Sequence, residues 1–345
     1  MKFYYEPNGG ISFLPDIQGF GEIKVFGCQN PSNYADGAIL FTNTPNAPAV
    51  MAQEVKAFQP DFVFIETFNV EMVDALRRIR RFYHKPIIGF WGDCVLDTSM
   101  IDILARAGKY CNIVYVVDKP AEMALLDRGI TAQFTLQPAS ESRYRYEPGV
   151  ESEYDIVLAG NPYSTNTMPN AQQRIELAQI LSKKFNLTVF GSDDWKKYGI
   201  NSKGWVNEYK LAKIYNRSKI IVTCDSVIDK KYFTSVRTYN VLCSCTFLLI
   251  RKFLGIEDLF ENKKHLVWFE HNEEAVELLD YYLKHDNERR EIANFGMNYV
   301  KNNALKRELF YRWSRADYDQ VGKIPIKDQI LDSLWLLRRF KQSRP

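Results

Sequence analysis

The sequence predicts an α/β protein built from two Rossmann-like halves, and three observations carry that prediction. Apolar runs of strand length alternate with stretches of helical periodicity along most of the chain. The alternation breaks once, at the polar, proline-bearing stretch Gln137–Gly149, and then resumes. With 345 residues the chain has room for two domains of ordinary size.

In the first half the apolar runs Ile23–Phe26, Ala38–Phe41, Phe62–Ile65, Pro86–Phe90 and Asn112–Val117 read as strands. Helical spacing covers Ala47–Phe58, Glu71–Tyr83, Thr98–Ala107 and Pro120–Arg128. Pro120 suits a first helical position, where its missing N–H costs nothing. The residues before Gly21 fit either a hairpin or an irregular cap on the sheet. The second half opens with the strand Tyr154–Ala159, which ends in Gly160-Asn161, and the helix Ala171–Phe185 follows. Next come Leu187–Phe190 with Gly191-Ser192, the helix Glu208–Tyr215 and the strand Lys219–Cys224. A short helix from Ser235 leads to the strand Thr246–Ile250, and helices over Glu273–His285 and Asn287–Asn302 close the series. The amphipathic segments Leu305–Tyr318 and Lys327–Phe340 are expected to cross back to the first domain. The domain boundaries read as 1–145, 146–304 and 305–345.

A composition with 46% hydrophobic and 25% charged residues is that of a globular protein with a full core. The net charge of +3 is too small to imply a polyanionic partner. The local cluster Arg77-Arg78-Ile-Arg80-Arg81 reads as a solvated helix face or, alternatively, a phosphate contact. Six cysteines without zinc-site spacing fit a reducing compartment. The N-terminus shows no signal-peptide core, and no run approaches the ~20 apolar residues of a membrane span, so a cytoplasmic location is expected. There is no GxGxxG and no GxxxxGK[ST] loop, which argues against dinucleotide dehydrogenases and P-loop NTPases. Asp317-Tyr-Asp319 is a DxD by letter but falls among the C-terminal helices, so no metal and no cofactor are expected. Two Rossmann-like halves on a linker also occur in periplasmic binding proteins and several kinases, so architecture alone leaves the function open.

The residues at the strand ends narrow it. Arg237 and Asn240 share one face of the helix that begins at Ser235, while Val236, Tyr239 and Cys243 share another. An Arg–Asn pair on the first turns suits an anionic, hydroxyl-rich ligand such as a nucleotide diphosphate-sugar. Guanidinium binds phosphate oxygens bidentately and would stabilise a departing nucleotide. Gly160, Asn161, Gly191 and Ser192 end strands, where free N–H groups can approach phosphate. Trp205-Val206 precedes a helix and offers a loop for a base, with Trp205 or Trp195 to stack on it. Asp93, at the end of an expected strand and walled by Phe90 and Trp91, is the candidate general base.

Across roughly residues 154–300 the chain resembles the CgeB-type (spore-maturation) branch of GT-B glycosyltransferases. Gly160-Asn161, Arg174, Gly191 with Trp195, Tyr215, Arg237-Thr-Tyr-Asn240, Gly255-Ile-Glu-Asp-Leu-Phe260 and Tyr281–Gly296 carry the resemblance by order and spacing. In the first half Gly89-Phe-Trp-Gly-Asp93 adds a shorter match. The resemblance implies a GT-B fold with two domains facing a cleft. It also implies transfer of a sugar from a UDP- or GDP-sugar, without a metal, to a hydroxyl on a glycan, lipid-linked sugar or protein. Donor contacts would come from Gly160, Asn161, Gly191, Ser192, Trp205, Val206, Ser235, Arg237, Tyr239 and Asn240, with Asp93 and Arg237 in the chemistry. Two alternatives stand beside it: transfer to a modified base in DNA, and a nucleotide-sugar-binding relative without activity. Two positions depart from the family. Asn240 stands where it has Glu, and Cys245 stands where a helix-ending Gly is usual.

Overall fold

A computed structural model describes residues 1–8, 13–27, 41, 44–164, 168–318 and 330–336. Cys28, most of the expected strand Ala38–Phe41, Asp319 and the outer parts of the expected helix Lys327–Phe340 lie outside the described residues. The chain forms two units: Leu136–Leu309, and Met1–Thr135 joined by the chain from Phe310 onward.

The first unit is a six-stranded, all-parallel sheet in the order β2-β1-β3-β4-β5-β6. Its strands are β1 (Lys2–Glu6), β2 (Glu22–Val25), β3 (Phe62–Ile65), β4 (Ile87–Trp91), β5 (Ile113–Val116) and β6 (Ala132–Phe134). The sequence left β1 undecided, and it proves central: Phe3, Tyr4, Tyr5 and Glu6 are all buried. A strand covered on both faces shows no alternation of apolar and polar residues, so its period was hidden. One face packs on α2 (Ala47–Phe58), α3 (Val70–Ile79), α4 (Thr98–Gly108) and α5 (Lys119–Leu126). Side chains of Asn69, Asp97 and Asp118 cap α3, α4 and α5 by accepting backbone N–H bonds of 2.7–2.9 Å. The other face is aromatic. There Phe310 and Trp313 of α12 (Lys306–Arg315) pack against Phe3, Phe62, Phe64, Phe90 and Tyr115, with Trp313 stacked 4.4 Å from Tyr115.

The second unit is a five-stranded parallel sheet in the order β11-β10-β9-β7-β8. These are β7 (Tyr154–Ala159), β8 (Leu187–Phe190), β9 (Ser218–Thr223), β10 (Phe247–Arg251) and β11 (Val267–Phe269). Alternation divides β7: Ile156 and Leu158 join one core, with α6 (Ala171–Lys184) and α10 (Asn272–Lys284), while Val157 and Ala159 join the other. That second core contains α7 (Glu208–Asn216), α8 (Val236–Cys243) and the end of α11 (Asp286–Asn303). The stretch 137–149 was expected to be a linker, yet Ala139, Ser140, Arg143 and Tyr144 are buried in this unit. Ala139 takes the amide of Lys306 and gives its own to Ala304, so the polar side chains of this stretch decorate a strapped segment. Cys245 ends α8 at φ +54°, occupying the left-handed position that glycine usually takes. The five described cysteines are unbridged.

Candidate functional site

In a parallel sheet the two helices flanking the point where strand order reverses leave a crevice at the strands' carboxyl ends. In the second unit that point lies between β7 and β9, because β8 follows β7 to one side and β9 lies on the other. Asp225, just past β9, is 2% exposed and anchors the crevice. Its Oδ2 accepts the Thr234 hydroxyl (2.7 Å) and the Ser235 amide (3.0 Å). Its Oδ1 faces two guanidinium groups, Nη1 of Arg237 at 3.6 Å and Nη2 of Arg174 at 3.9 Å.

The two arginines differ. Arg174, on α6, is 3% exposed and donates to the carbonyls of Cys224 (2.6 Å) and Asn161 (2.9 Å), tying the ends of β9 and β7 together. Burial, followed by the charge of Arg237, pulls its guanidinium below the usual arginine range. Arg237, on the first turn of α8, has a buried Nη1 with no hydrogen-bond partner. The buried Tyr215 hydroxyl and Ser226 Oγ likewise have none. Burial pushes the Tyr215 phenol up to about 12, against a smaller opposing effect of Arg237. Two cations thus share one carboxylate where charge is poorly solvated, and unpaired donors remain.

Gly160 forms the floor. At φ +145°, a Cβ there would stand 3.1 Å from Nη2 of Arg237 and 3.2 Å from Nη1 of Arg174. Gly191, at φ +158°, would drive a Cβ to 2.3 Å from the Gly160 carbonyl. Only glycine fits either position.

Of the residues expected from the sequence, Gly160, Asn161, Gly191, Ser192, Ser235 and Arg237 come together here, though not all as expected. The Gly160 amide bonds the Phe190 carbonyl, the Gly191 amide that of Gly204, and the Ser192 amide Oδ1 of Asn161 (2.8 Å). These three donors, expected to be free for phosphate, hold the loops instead, and the cationic side chains are what face the crevice. Ser235 caps α8, accepting the Arg237 amide at 3.2 Å. Tyr239 is 1% exposed and packs on Phe260 in the core, two positions round the helix from Arg237. Asn240, expected on an open helix face, is buried, and its Oδ1 accepts the Ser140 amide at 3.3 Å. Trp195 is no stacking platform: fully buried, its indole N–H donates to the Gly160 carbonyl at 2.8 Å. Trp205 is 76% exposed, which removes any core role, and Val206 packs against the unit's core. The sequence missed Asp225, although an Asp directly after a predicted strand was a usable signal.

Asp93 follows β4 on the first unit. It is solvent-exposed, and surrounding protein raises its carboxyl while the Cys94 amide (2.7 Å) opposes the rise. Exposure keeps that rise modest. Within the arginine cluster Arg77 and Arg78 pair with Asp74 at 2.8 Å, Arg80 donates to the Tyr110 and Lys85 carbonyls, and Arg81 is exposed. Among the described residues no group of three or more His, Cys, Asp or Glu side chains is placed to hold a metal ion. Nor is any described helix long and apolar enough to cross a membrane.

Residues 171–307, which supply both arginines and Asp225, match the family model described as glycosyl transferase-like. No curated protein matches the chain. Among solved structures, the chain is similar to HepE of Anabaena in complex with UDP-glucose, at 13% identity and a TM-score of 0.64, over 91% of this chain and 99% of that one. A sucrose-phosphate synthase of Thermosynechococcus elongatus aligns with a TM-score of 0.62 at 9% identity, over 91% and 98% of the two chains. A glycosyltransferase of Rickettsia africae gives the same score at 12% identity over the same shares. The fold is GT-B.

Proposed function

We propose that the protein is a glycosyltransferase that takes its sugar from a nucleotide-sugar donor, held by its diphosphate between Arg174 and Arg237 over Gly160. The observation that carries the reading is the unbalanced charge at this crevice: the buried Arg174 guanidinium, the part-buried Arg237 guanidinium, one carboxylate, and a buried Arg237 Nη1 without a hydrogen-bond partner. A diphosphate supplies the missing negative charge and acceptor oxygens. The glycosyl transferase-like match covers the same residues, and the HepE structure of the same fold holds UDP-glucose. The first supports a sugar transferase, and the second a UDP-sugar as its donor.

When the bond from the anomeric carbon to the diphosphate breaks, negative charge grows on the leaving oxygen, and Arg237 stands where it can neutralise it. Such stabilisation needs no metal. Trp205, exposed beside the loop ahead of α7, offers a face for the base. The acceptor is a hydroxyl compound. Asp93 is the candidate for taking its proton. Transfer to a modified base in DNA stands as a further reading, with Arg77, Arg78 and Arg80 in internal contacts and Arg81 exposed. A nucleotide-sugar-binding relative without transfer is the second reading, favoured by the amide at Asn240 and its structural bond to Ser140.

Titration calorimetry with UDP, UDP-glucose and GDP-mannose, followed by release of nucleoside diphosphate from the sugar donors, separates these readings. One donor should bind and be turned over. Arg237→Ala should weaken nucleotide affinity about 30-fold or more, the cost of removing a buried charge partner. If no nucleotide binds, the donor reading fails. If binding occurs but no acceptor or water is ever glycosylated, the inactive relative is correct.

A further inference from the structure

The face of α8 that carries Arg237 holds a second polar side chain. Asn240 stands three residues on, one turn along the same side of the helix. It is 5% exposed. Its Oδ1 accepts the Ser140 amide at 3.3 Å, and its backbone carbonyl accepts the amide and hydroxyl of Ser244. A backbone N–H can only donate, so the oxygen is the end of the side chain turned to Ser140, and the Nδ2 end is turned away. Among the described residues Nδ2 has no hydrogen-bond partner. Unlike Nη1 of Arg237, it is not sealed from solvent.

We infer that Asn240 is a specificity-determining residue of the donor site: Ser140 fixes its amide so that the Nδ2 donors meet the diphosphate beside Arg237. The inference rests on the transferase reading and adds a third donor side chain to the two arginines. The bond to Ser140 then serves the site as well as the fold, because it sets which end of the amide the ligand meets.

An amide side chain is ambivalent until its surroundings choose an end: it can offer an oxygen to a hydroxyl or an N–H to a phosphate. Ser140 removes the first option. Its segment is itself held fast, because the neighbouring Ala139 exchanges backbone bonds with Ala304 and Lys306. What remains at position 240 is a group of donors only, like the guanidinium three residues before it. Two donor-only groups on one helix face match a ligand group whose ionised oxygens only accept, and a diphosphate is such a group. A carboxylate at the same place would do the reverse, accepting ribose hydroxyls and repelling phosphate. It would also compete for Arg237, whose Nη1 already stands 3.6 Å from Asp225.

The test is Asn240→Asp in the full chain, with the affinities of UDP and uridine read by titration calorimetry. Aspartate has the same shape and keeps an oxygen for the Ser140 amide, so the fold should survive. UDP should bind about 30-fold more weakly or worse, with uridine within about twofold of wild type. Tighter binding of UDP and uridine would place ribose hydroxyls, and not phosphates, at this side chain, and overturns the inference. Unchanged UDP affinity overturns it too. Repeating the substitution on Arg237→Ala separates repulsion of the ligand from competition for Arg237. In that background Asn240→Asp should still weaken UDP about tenfold, and disappearance of the effect overturns the inference. Should Asn240→Asp fail to fold, or the double variant bind too weakly to measure, the side-chain ¹H–¹⁵N resonances of Asn240 in the wild type decide. A shift with UDP and none with uridine upholds the inference, and any other pattern overturns it. A wild type that binds no nucleotide takes down the donor reading as well, whereas UDP binding that ignores Asn240 takes down this inference alone.

Discussion

The two units reverse their strand order in the same way, between the first and third strands of each sheet, yet their crevices carry opposite charge. In the second unit the reversal between β7 and β9 gathers Arg174, Arg237 and a single balancing Asp225. In the first unit the reversal between β1 and β3 gathers Glu6 and Glu66, with no cation among the groups acting on Glu6. Parallel topology dictates where a site opens, because helices leave the sheet in opposite directions there. It does not dictate what binds. Side chains placed on those ends do that: a buried and a part-buried guanidinium stand at one, and two buried carboxyl groups at the other. The glycines follow the same division. Gly160 and Gly191 in the second unit clear space for side chains and loops that crowd the crevice, whereas the first unit closes β1 with a glutamate.

The comparison can be broken by changing the charge at either crevice. Asp225→Asn should have the largest effect. It keeps an oxygen for Thr234 and Ser235 but leaves the buried Arg174 and the part-buried Arg237 uncompensated, which should lower stability by about 3 kcal/mol. Saturating UDP should then raise the melting temperature of this variant more than that of wild type. A variant as stable as wild type without ligand would mean that the cations are already solvated.

Glu6→Gln should have an effect of similar size that depends on pH. Glu6 holds its proton more tightly folded than unfolded, so its contribution to stability is lost as pH rises from the ordinary carboxylate range through about 8. Gln cannot ionise. The stability of the variant relative to wild type should therefore climb by about 3 kcal/mol between pH 5 and pH 9 in urea melts, a value discounted from the full shift. A flat difference would show that Glu6 is hydrated and ordinary. Trp195→Phe sharpens the comparison with the smallest effect. It keeps the buried ring but removes the bond to the Gly160 carbonyl, worth about 1 kcal/mol. On the proposed reading, in which the guanidinium groups and not the loop amides hold the diphosphate, UDP affinity should fall only slightly.

The sequence by itself determined most of the element types and the strand ends that line the crevice of the second unit. Helical spacing, the caps Asn69, Asp97, Asp118 and Ser235, and strands that end in Gly160 and Gly191 are local signals, set by neighbouring residues on one stretch of chain. Arg237 was legible for the same reason, standing two residues after a capping serine. Tertiary structure alone decided who meets whom. Arg174, Asp225 and Arg237 lie on three separate segments, and only the placement of β9 beside β7 brings them within 4 Å. Strand order likewise put β1 at the centre of its sheet, where burial on both faces erased its period and drew Glu6 out of water. Tyr239, two residues from Arg237, turns to the core on another face of the helix, whereas Asn240, on the same side as Arg237, is taken up by the amide of Ser140 from a segment distant in sequence. Trp195 and Trp205 look alike on paper. One is sealed beneath Gly160 and the other stands in water, a difference made by contacts that no stretch of sequence contains.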